Sequence, residues 1–288
     1  MPERPLLVVQ PADDDPIGRL GDWLIEAGVD LDVRNAEVGD AVPHDLRAHC
    51  GLIVLGGGVG AADDTAAPWL PSIRALLRRA VEQEIPTLGV CLGAQLLTLA
   101  CGGQVAPNPD GPEFGAQLVA KRSSAAGDPL FGALPITPDV IQWHFDAVTR
   151  LPAGAVLLAG SPLCDVQAFR LGRLAWAVQF HIETTPDVVR AWAAADADAL
   201  DGYDVDSMLR RVEQADADIV EVWQPFAAAF ADVLRAPDSV TAHRGPVLST
   251  AEPITDPAAI RAALAAELTA SRAPHLLPAP RVRRRDPE

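Results

Sequence analysis

The sequence predicts an α/β protein with a doubly wound, mostly parallel sheet. Within the first hundred residues, short apolar segments typical of buried strands alternate with segments of helical periodicity. Strands that alternate with helices at this spacing form βαβ units, which build parallel sheets. The chain has 288 residues, of which 49% are hydrophobic, so it can bury a full core.

The βαβ units are predicted in the amino-terminal third of the chain. Predicted strands cover 5–10, 29–33, 50–55 and 87–90, and predicted helices cover 17–27, 68–84 and 92–100. In the first helical segment Leu20, Trp23 and Leu24 fall on one face, which indicates an amphipathic helix. Pro68 stands where a proline is tolerated at the start of the second helix.

Residues 104–180 differ in character, because short strand candidates follow one another with turns between them. The candidates are 114–120, 139–143, 155–160, 166–170 and 175–180. Consecutive strands joined by turns favour antiparallel pairing. We therefore expect a β-rich part that forms either an antiparallel extension of the first sheet or a second small sheet.

Helices are predicted to dominate from residue 186 onwards. The predicted helices are 187–200, 205–217, 219–234 and 258–271, with a Pro-containing connection at 236–257 and a Pro/Arg-rich tail after the last helix. We therefore expect two parts: an α/β domain at 1–195 and a helical carboxyl-terminal extension at 196–288.

A cysteine between two glycines marks the predicted reactive centre. Cys91 follows the apolar strand at 87–90 and precedes the helix at 92–100, with Gly89 and Gly93 on either side. A strand that turns this sharply into a helix holds a nucleophile in a strained conformation, and side chains on its neighbours would clash. The amino-terminal end of the helix also favours a thiolate. The alternative is a buried cysteine at an ordinary strand–helix junction.

His181 and Glu183 are the predicted partners of this cysteine. A cysteine needs a base and an orienting group to act as a nucleophile near neutral pH. His181 follows an apolar strand, and residues two apart at a strand end face the same way, so Glu183 can orient the imidazole. On its own, a His-x-Glu pattern is more typical of two neighbouring surface residues. Together with the cysteine turn it predicts a Cys91–His181–Glu183 triad.

Three glycines at 56–58 follow the predicted strand at 50–55. Backbone N–H groups without side chains can approach a substrate carbonyl closely, so those of Gly57, Gly58 and Leu92 are candidates for an oxyanion hole. The run lacks the lysine of a GxxxxGK[ST] phosphate loop. A flexible turn is the alternative.

Composition narrows the possible partners. A net charge of −16 disfavours binding to nucleic acid, whose phosphates would be repelled. No apolar run approaches the roughly 18 residues needed to span a bilayer, and the first residues lack a signal-peptide pattern, so we expect a cytoplasmic protein without membrane contact. The four cysteines form no CxxC pairs, so neither a disulfide framework nor a metal site is predicted.

Several segments carry a family resemblance. Residues 89–95 (GVCLGAQ), 179–183 (QFHIE) and 55–58 (LGGG) together resemble class I, triad-type glutamine amidotransferase domains. Residues 142–146 (QWHFD) and 161–169 (SPLCDVQAF) resemble two further blocks of the branch similar to the glutaminase half of GMP synthase. The resemblance covers about residues 5–195.

The resemblance implies a fold, a reaction and additional site residues. It implies a flavodoxin-like sheet in which Cys91 attacks the side-chain amide of glutamine, without a metal or organic cofactor. It also implies that Gln95 contacts the bound substrate and that the segment from Trp143 through His144 to Asp146 helps hold its α-amino and α-carboxylate groups. For Trp143 and His144, core packing and a buried, hydrogen-bonded histidine are the alternative.

The sequence departs from GMP synthase after Glu183. In GMP synthase an ATP pyrophosphatase domain with a Ser-Gly-Gly-x-Asp-Ser loop would follow, whereas here about 100 Ala-rich residues with helical patterns follow. A smaller departure is Ala94, where the family often has histidine.

Three functions stay open at this point. The first is a glutaminase that delivers ammonia to a separate synthetase subunit, and the second is a free-standing γ-glutamyl hydrolase or peptidase. Both act on a small-molecule substrate. The third is a catalytically idle relative that serves as a regulatory binding module, which the three filled triad positions disfavour.

Overall fold

The structure, a computed structural model, describes residues 4–241. Within this range twelve strands and five α-helices are found. The strands are β1 (Leu6–Gln10), β2 (Leu31–Asn35), β3 (Gly51–Val54), β4 (Thr87–Val90), β5 (Gln104–Pro107), β6 (Glu113–Leu118), β7 (Ala120–Lys121), β8 (Asp139–His144), β9 (Asp146–Arg150), β10 (Ala155–Gly160), β11 (Ala168–Leu171) and β12 (Ala175–Val178). The helices are α1 (Gly18–Glu26), α2 (Leu70–Glu82), α3 (Leu92–Ala100), α4 (Pro186–Ala195) and α5 (Val205–Arg235).

Eight strands form the central sheet in the order β2-β1-β3-β4-β12-β11-β10-β7. The first five are parallel neighbours, and the last three continue the sheet in antiparallel pairing. The parallel part has the 2-1-3-4-5 order of a flavodoxin-like sheet. Two further antiparallel pairs, β5–β9 and β6–β8, lie outside it. The predicted fold class is confirmed, and the β-rich part adopts both arrangements that the sequence left open.

Helices cover both faces of this sheet. Successive strand residues point to opposite faces, so an apolar strand feeds two cores. Val8 of β1 joins the core that contains buried side chains of α1 and α5. Val9 of the same strand joins the core that contains buried side chains of α2 and α3. The four parallel strands inside the sheet, β1, β3, β4 and β12, are therefore nearly continuous apolar runs, whereas the edge strand β2 is only partly buried.

The two helices predicted at 205–217 and 219–234 are a single helix, so that prediction was wrong. α5 runs without interruption from Val205 to Arg235 and contains Pro225. Its buried residues include Ala215, Ile219 and Trp223, spaced four apart across the predicted break. Their burial against the sheet continues through the break and past the proline, which explains why no turn forms.

Other differences are found at element ends and at three short strands. The segment predicted as one strand at 114–120 forms two strands, β6, which pairs with β8, and β7, which pairs with β10. The helix predicted at 187–200 ends at Ala195 and is followed by a separate 3₁₀ turn at Ala197–Leu200. β2 begins two residues later than predicted. β5 and β9 were not predicted, and they pair with each other.

Part of the predicted carboxyl-terminal region lies outside the described residues. This applies to the connection beyond residue 241, the helix at 258–271 and the Pro/Arg-rich tail. Within residues 4–241, no helix combines the length and apolarity needed to cross a membrane. The division of the chain at residue 195 stays a prediction.

Candidate active site

Cys91 stands between β4 and α3 in a strained backbone conformation. Its φ is 49° and its ψ is −107°, and a positive φ is uncommon for a residue with a side chain. Its N–H donates a 2.8 Å hydrogen bond to the carbonyl oxygen of Val178 in β12. The turn thus holds the sulfur at the carboxyl-terminal edge of the parallel strands, where open α/β sheets bind their ligands.

The glycines on either side of Cys91 allow α3 to approach β3 closely. A Cβ at Gly93 would lie 2.0 Å from the carbonyl oxygen of Val54, and a Cβ at Gly89 would lie 2.7 Å from backbone atoms of Gly93. The N–H of Gly93 donates a 3.0 Å hydrogen bond to the carbonyl oxygen of Leu55. Any side chain at these two positions would push the helix off the sheet.

His181 and Glu183 form a buried pair just after β12. His181 Nδ1 lies 2.5 Å from Glu183 Oε1, and both side chains are buried. The other carboxylate oxygen of Glu183 accepts a 2.8 Å hydrogen bond from the N–H of Ile182. The backbone of His181 pairs with Ile141 in β8. The carboxylate and the backbone together fix the orientation of the imidazole.

Neighbouring charges favour the protonated form of His181. Burial opposes a charge on the imidazole, yet the negative charges of Glu183, Cys91 and Asp15 and a hydrogen bond with Cys91 raise its pKa well above the ordinary value. The ring of Trp192 packs against it, with 4.8 Å between ring centroids. An imidazolium beside a cysteine sulfur is the arrangement in which a thiol nucleophile is activated.

A cavity of about 340 Å³ opens over Cys91 and His181. Gly57 and Gly58, from the glycine run after β3, also line it. Leu92, the first residue of α3, lies directly behind this run, since a Cβ at Gly57 would be 3.2 Å from Leu92 Cδ2. The glycine run and the cysteine turn therefore border the same space.

Two glutamine side chains connect the cysteine turn with its surroundings. Gln95 Nε2 donates to the carbonyl oxygen of Asp146 and to Gln179 Oε1, each at 3.2 Å. Gln179 Nε2 in turn lies 3.7 Å from Cys91 Sγ. The sequence predicted a role for Gln95 but none for Gln179. The available signal was the place of Gln179 at the start of the segment that contains His181.

The β8–β9 turn, which here means the end of β8 and the start of β9 from Trp143 to Asp146, forms one side of the cavity. The carbonyl oxygen of Trp143 lies 3.8 Å from Cys91 Sγ, and its indole N–H donates a 2.8 Å hydrogen bond to Asp196. Asp146 is half-buried and also lines the cavity. Trp143 and Asp146 therefore both face the space in front of the sulfur.

His144 lies in the same turn, but its ring is engaged within the protein. Nδ1 lies 2.9 Å from the carbonyl oxygen of Asp146, and Nε2 lies 3.1 Å from Glu113 Oε2. Glu113 is itself buried and accepts hydrogen bonds from Gln167 and Ser161. Through this network His144 holds the β8–β9 turn in place.

Asp15 is a buried carboxyl group of the site that sequence analysis did not single out. It follows β1 and lines the cavity, and its Oδ1 lies 3.9 Å from His181 Nδ1. Burial, opposed by the charge of His181 and reinforced by Glu183 and Asp14, raises the pKa of Asp15 to about 7. The position of Asp15 in the sequence could have indicated a place in the site, because a connection that follows a parallel strand lies at the ligand-binding edge of the sheet.

Two buried groups in the described part of the chain contain atoms of metal-ligand type. One comprises Asp15, His181 and Glu183, and the other Glu113, His144 and Cys164. In the first group the Nδ1–Oε1 distance of 2.5 Å leaves no room for an ion, since Zn–N and Zn–O bonds are each about 2 Å long. In the second, Glu113 and His144 are in direct hydrogen-bond contact. We assign neither group as a metal site.

The chain is similar to two kinds of curated protein. It is 30% identical over 184 residues to a GMP synthase [glutamine-hydrolyzing] of Lactobacillus delbrueckii subsp. bulgaricus, covering 59% of this chain and 34% of the relative. It is 27% identical over 150 residues to gamma-glutamyl peptidase 3 of Arabidopsis thaliana, covering 51% of this chain and 59% of that relative. The chain thus spans less than two thirds of the length of either protein.

A solved structure and a family model agree with this similarity. The crystal structure of a glutamine amidotransferase from Methylobacillus flagellatus superposes with a TM-score of 0.70 at 28% identity, covering 83% of this chain and 96% of that one. The family model for glutamine amidotransferase class-I matches residues 19–191, which is more than half of the chain and includes both the cysteine turn and the His181 segment. The chain therefore belongs to the class I glutamine amidotransferase family.

Proposed function

We propose that the chain hydrolyses the side-chain amide of glutamine, or of another γ-glutamyl compound, through a thioester on Cys91. The observation that carries this proposal is the strained cysteine turn, which shares one cavity with His181, the histidine that is paired with the buried Glu183. Family membership supports amide hydrolysis as the class of reaction.

In the proposed reaction His181 transfers a proton twice. The sulfur of Cys91 attacks the amide carbon, the C–N bond breaks, and the imidazolium of His181 gives its proton to the departing ammonia or amine. The imidazole then takes a proton from water as that water attacks the thioester. The C–S bond breaks, which releases glutamate and restores the thiolate. Glu183 orients the ring in both steps.

Three backbone N–H groups are assigned to the oxyanion that forms in each step. Gly57 and Gly58 line the cavity beside Cys91, and Leu92 opens α3, where the first N–H groups of a helix have no intrahelical partner. Donors fixed in a buried site stabilise a developing negative charge without having to reorient.

Substrate recognition is assigned to the side of the cavity formed by Gln95 and the β8–β9 turn. The carboxylate of Asp146 and the carbonyl oxygen of Trp143 are acceptors for the substrate's α-amino group. Gln95 holds this turn through its hydrogen bond to Asp146. His144 is assigned a supporting role rather than a direct contact with the substrate, because both of its ring nitrogens are engaged within the protein.

Two forms of this activity differ in their need for a partner. Similarity to a GMP synthase supports a glutaminase that delivers ammonia to a separate synthetase subunit. Similarity to a gamma-glutamyl peptidase supports a free-standing hydrolase of γ-glutamyl compounds. Both forms use the same Cys91 chemistry. They differ only in the leaving group, which is ammonia or an amine, and in whether that group is delivered to a partner subunit.

The test is a screen of the purified full chain for glutamate release. Glutamine and a panel of γ-glutamyl amides are each supplied with and without an extract of the cells that express the protein. We expect release in at least one condition. Release by the chain alone supports the free-standing hydrolase, and release that requires the extract supports a synthetase partner.

Cysteine variants provide the matched controls. Cys91→Ala should abolish release, whereas Cys50→Ala, which changes a half-buried cysteine away from the cavity, should keep it. Retained release in Cys91→Ala would overturn the assignment. The absence of release by the wild-type chain in every condition would favour the idle regulatory module instead.

A further inference from the structure

The carboxyl group of Asp15 lies beside His181, near the same ring nitrogen that Glu183 contacts. Its Oδ1 lies 3.9 Å from His181 Nδ1, while Glu183 Oε1 lies 2.5 Å from the same nitrogen. Gly56 makes this arrangement possible, since a Cβ there would lie 1.8 Å from Asp15 Oδ2 and 3.1 Å from His181 Cε1. Any larger residue at position 56 would displace the carboxyl group or the imidazole.

The connection between β1 and α1 is tied to the His181 segment on both sides of this carboxyl group. On one side, the carbonyl oxygen of Asp14 accepts a 3.0 Å hydrogen bond from Trp192, whose ring packs against His181. On the other side, the N–H of Arg19 donates a 3.0 Å hydrogen bond to the carbonyl oxygen of Glu183. Contacts outside the carboxyl group itself therefore fix its distance from the imidazole.

The surroundings of Asp15 favour a protonated carboxyl group over a second negative charge beside Glu183. Its Oδ1 is buried and has no hydrogen-bond partner among the described residues. Two adjacent buried carboxylates cannot both ionise without a large electrostatic cost. The titratable groups that act on Asp15 are His181, Glu183 and Asp14. Because an ionised Glu183 can only accept, a hydrogen bond between the two carboxyl groups requires the proton to be on Asp15.

We propose that Asp15 is a positioning residue that acts through His181. In its protonated form it donates a hydrogen bond to Glu183, and in its ionised form it adds a negative charge beside the imidazole. The state of Asp15 thereby sets how readily His181 takes up and releases its proton. This role rests on the proposed function, in which His181 transfers a proton in both halves of the reaction.

The direction of the effect follows from the charges. Ionised Asp15 stabilises the imidazolium, and its charge is one of those that raise the pKa of His181. Asn at position 15 keeps the shape and can donate to Glu183, but it carries no charge at any pH. Asp15→Asn should therefore lower the pKa of His181. In the wild type, ionisation of Asp15 should add an inflection near pH 7 to the titration curve of His181. This inflection should be absent in Asp15→Asn.

The test is a pH titration by NMR of the full chain labelled with ¹³C in its histidine rings. The resonance of His181 is identified by its loss in His181→Asn and is followed in wild type, Asp15→Asn and Asp13→Asn. Asp13 is an exposed aspartate in the same connection, so its variant removes the same formal charge outside the cavity. We expect a lower midpoint in Asp15→Asn and an unchanged midpoint in Asp13→Asn.

Each outcome of this titration decides the proposal. Equal midpoints in wild type and Asp15→Asn, or equal shifts in both variants, would overturn it. Asp15→Ser, a smaller uncharged donor, provides a second variant with the same expected shift. Should neither variant fold, ¹³C-aspartate labelling of the wild type still decides: one carboxyl should titrate near pH 7, and titration of every aspartate below about pH 5 would refute the role.

These measurements are independent of the proposed function. None of them requires a substrate, so a chain that releases no glutamate would refute the hydrolase assignment while the coupling between Asp15 and His181 is still decided. Conversely, glutamate release with equal His181 midpoints would support the hydrolase and reject the role of Asp15.

Discussion

At the scale of single residues, the site is built from groups whose freedom is removed before any substrate binds. The backbone of Cys91 is held at a positive φ by the turn between β4 and α3. The imidazole of His181 is oriented by Glu183 and packed against Trp192. Side chains fixed in advance lose little entropy on reaching the reactive geometry, which lowers the barrier of the chemical step.

Replacement of Glu183 by Gln tests whether this orientation matters. Gln keeps the size of the side chain but removes the leading charge that raises the pKa of His181. We expect kcat for glutamate release to fall by about 100-fold or more, because the imidazole loses both its orientation and the stabilisation of its protonated form. The measurement is a steady-state assay with the substrate identified in the screen.

A matched variant separates this effect from a general loss of charge. Glu82→Gln removes an exposed carboxylate from the end of α2 and should leave kcat unchanged. A Glu183→Gln protein that is folded and retains full kcat would contradict the role assigned to Glu183.

The residues of this site were not equally accessible to sequence analysis. Cys91 is marked by flanking glycines, and His181 and Glu183 are marked by their spacing after an apolar strand. Asp15 carries no such mark, because it is one of three successive aspartates in a chain rich in acidic residues. Only the packing of the β1–α1 connection against the His181 segment distinguishes it from its neighbours.

At the scale of elements, the reactive turn depends on the contact between α3 and β3. The carbonyl oxygen of Val54 and the backbone of Gly93 approach so closely that no Cβ fits between them. The same contact brings the start of α3 beside the glycine run that follows β3. The geometry of the cavity is therefore a consequence of how one helix packs on one strand.

Replacement of Gly93 by Ala tests this contact. The added Cβ would lie 2.0 Å from the Val54 carbonyl oxygen, so α3 must shift away from the sheet. We expect the free energy of unfolding to fall by about 1–3 kcal/mol, the usual cost of overpacking a core. The measurement is urea unfolding followed by circular dichroism.

A second glycine provides the control for this substitution. Gly60 follows the same glycine run, and a Cβ there would meet nothing closer than 3.8 Å. Gly60→Ala should therefore leave the free energy of unfolding within about 0.5 kcal/mol of wild type. Equal stability of the Gly93→Ala and Gly60→Ala proteins would refute the close contact.

Sequence periodicity predicted the parallel strands better than the β-rich part and the last described helix. β9 begins two residues after β8 ends, so no turn signal separates them, and its partner β5 is only partly buried. The pairing between β5 and β9 is set by tertiary contact and leaves little trace in the sequence. In α5 the continuous burial of one face outweighs the local interruption that suggested two helices.

At the scale of the whole molecule, α5 completes one of the two cores. Its Trp223 is fully buried, packs against Phe180 with 5.2 Å between ring centroids, and donates a 2.9 Å hydrogen bond to the carbonyl oxygen of Asp139. Phe180 immediately precedes His181 in the chain. α5 therefore stabilises the segment that carries the proposed base.

Replacement of Trp223 by Ala tests the contribution of α5. The substitution removes a fully buried indole and leaves a cavity beside Phe180, so we expect a loss of about 3–5 kcal/mol in the free energy of unfolding. Ile25→Ala, at a mostly exposed position of α1, should cost much less. Chemical unfolding of the two variants beside the wild type provides the comparison, and similar losses in both would show that α5 is not part of the core.

Cys91 is the proposed nucleophile of a glutamine-binding site. Burial raises the pKa of each of the other three thiols, Cys50, Cys101 and Cys164, so they are expected to react slowly. A diazoketone analogue of glutamine carries the substrate's α-amino and α-carboxylate groups and an electrophilic carbon near the position of the amide.

The most direct measurement is therefore mass spectrometry of the full chain after incubation with this analogue, followed by peptide mapping. We predict a single adduct, on Cys91, that free glutamine or a γ-glutamyl substrate suppresses and that is lost in Cys91→Ala. Labelling of another cysteine in preference to Cys91, or labelling of Cys91 that neither ligand reduces, would contradict the role proposed for Cys91.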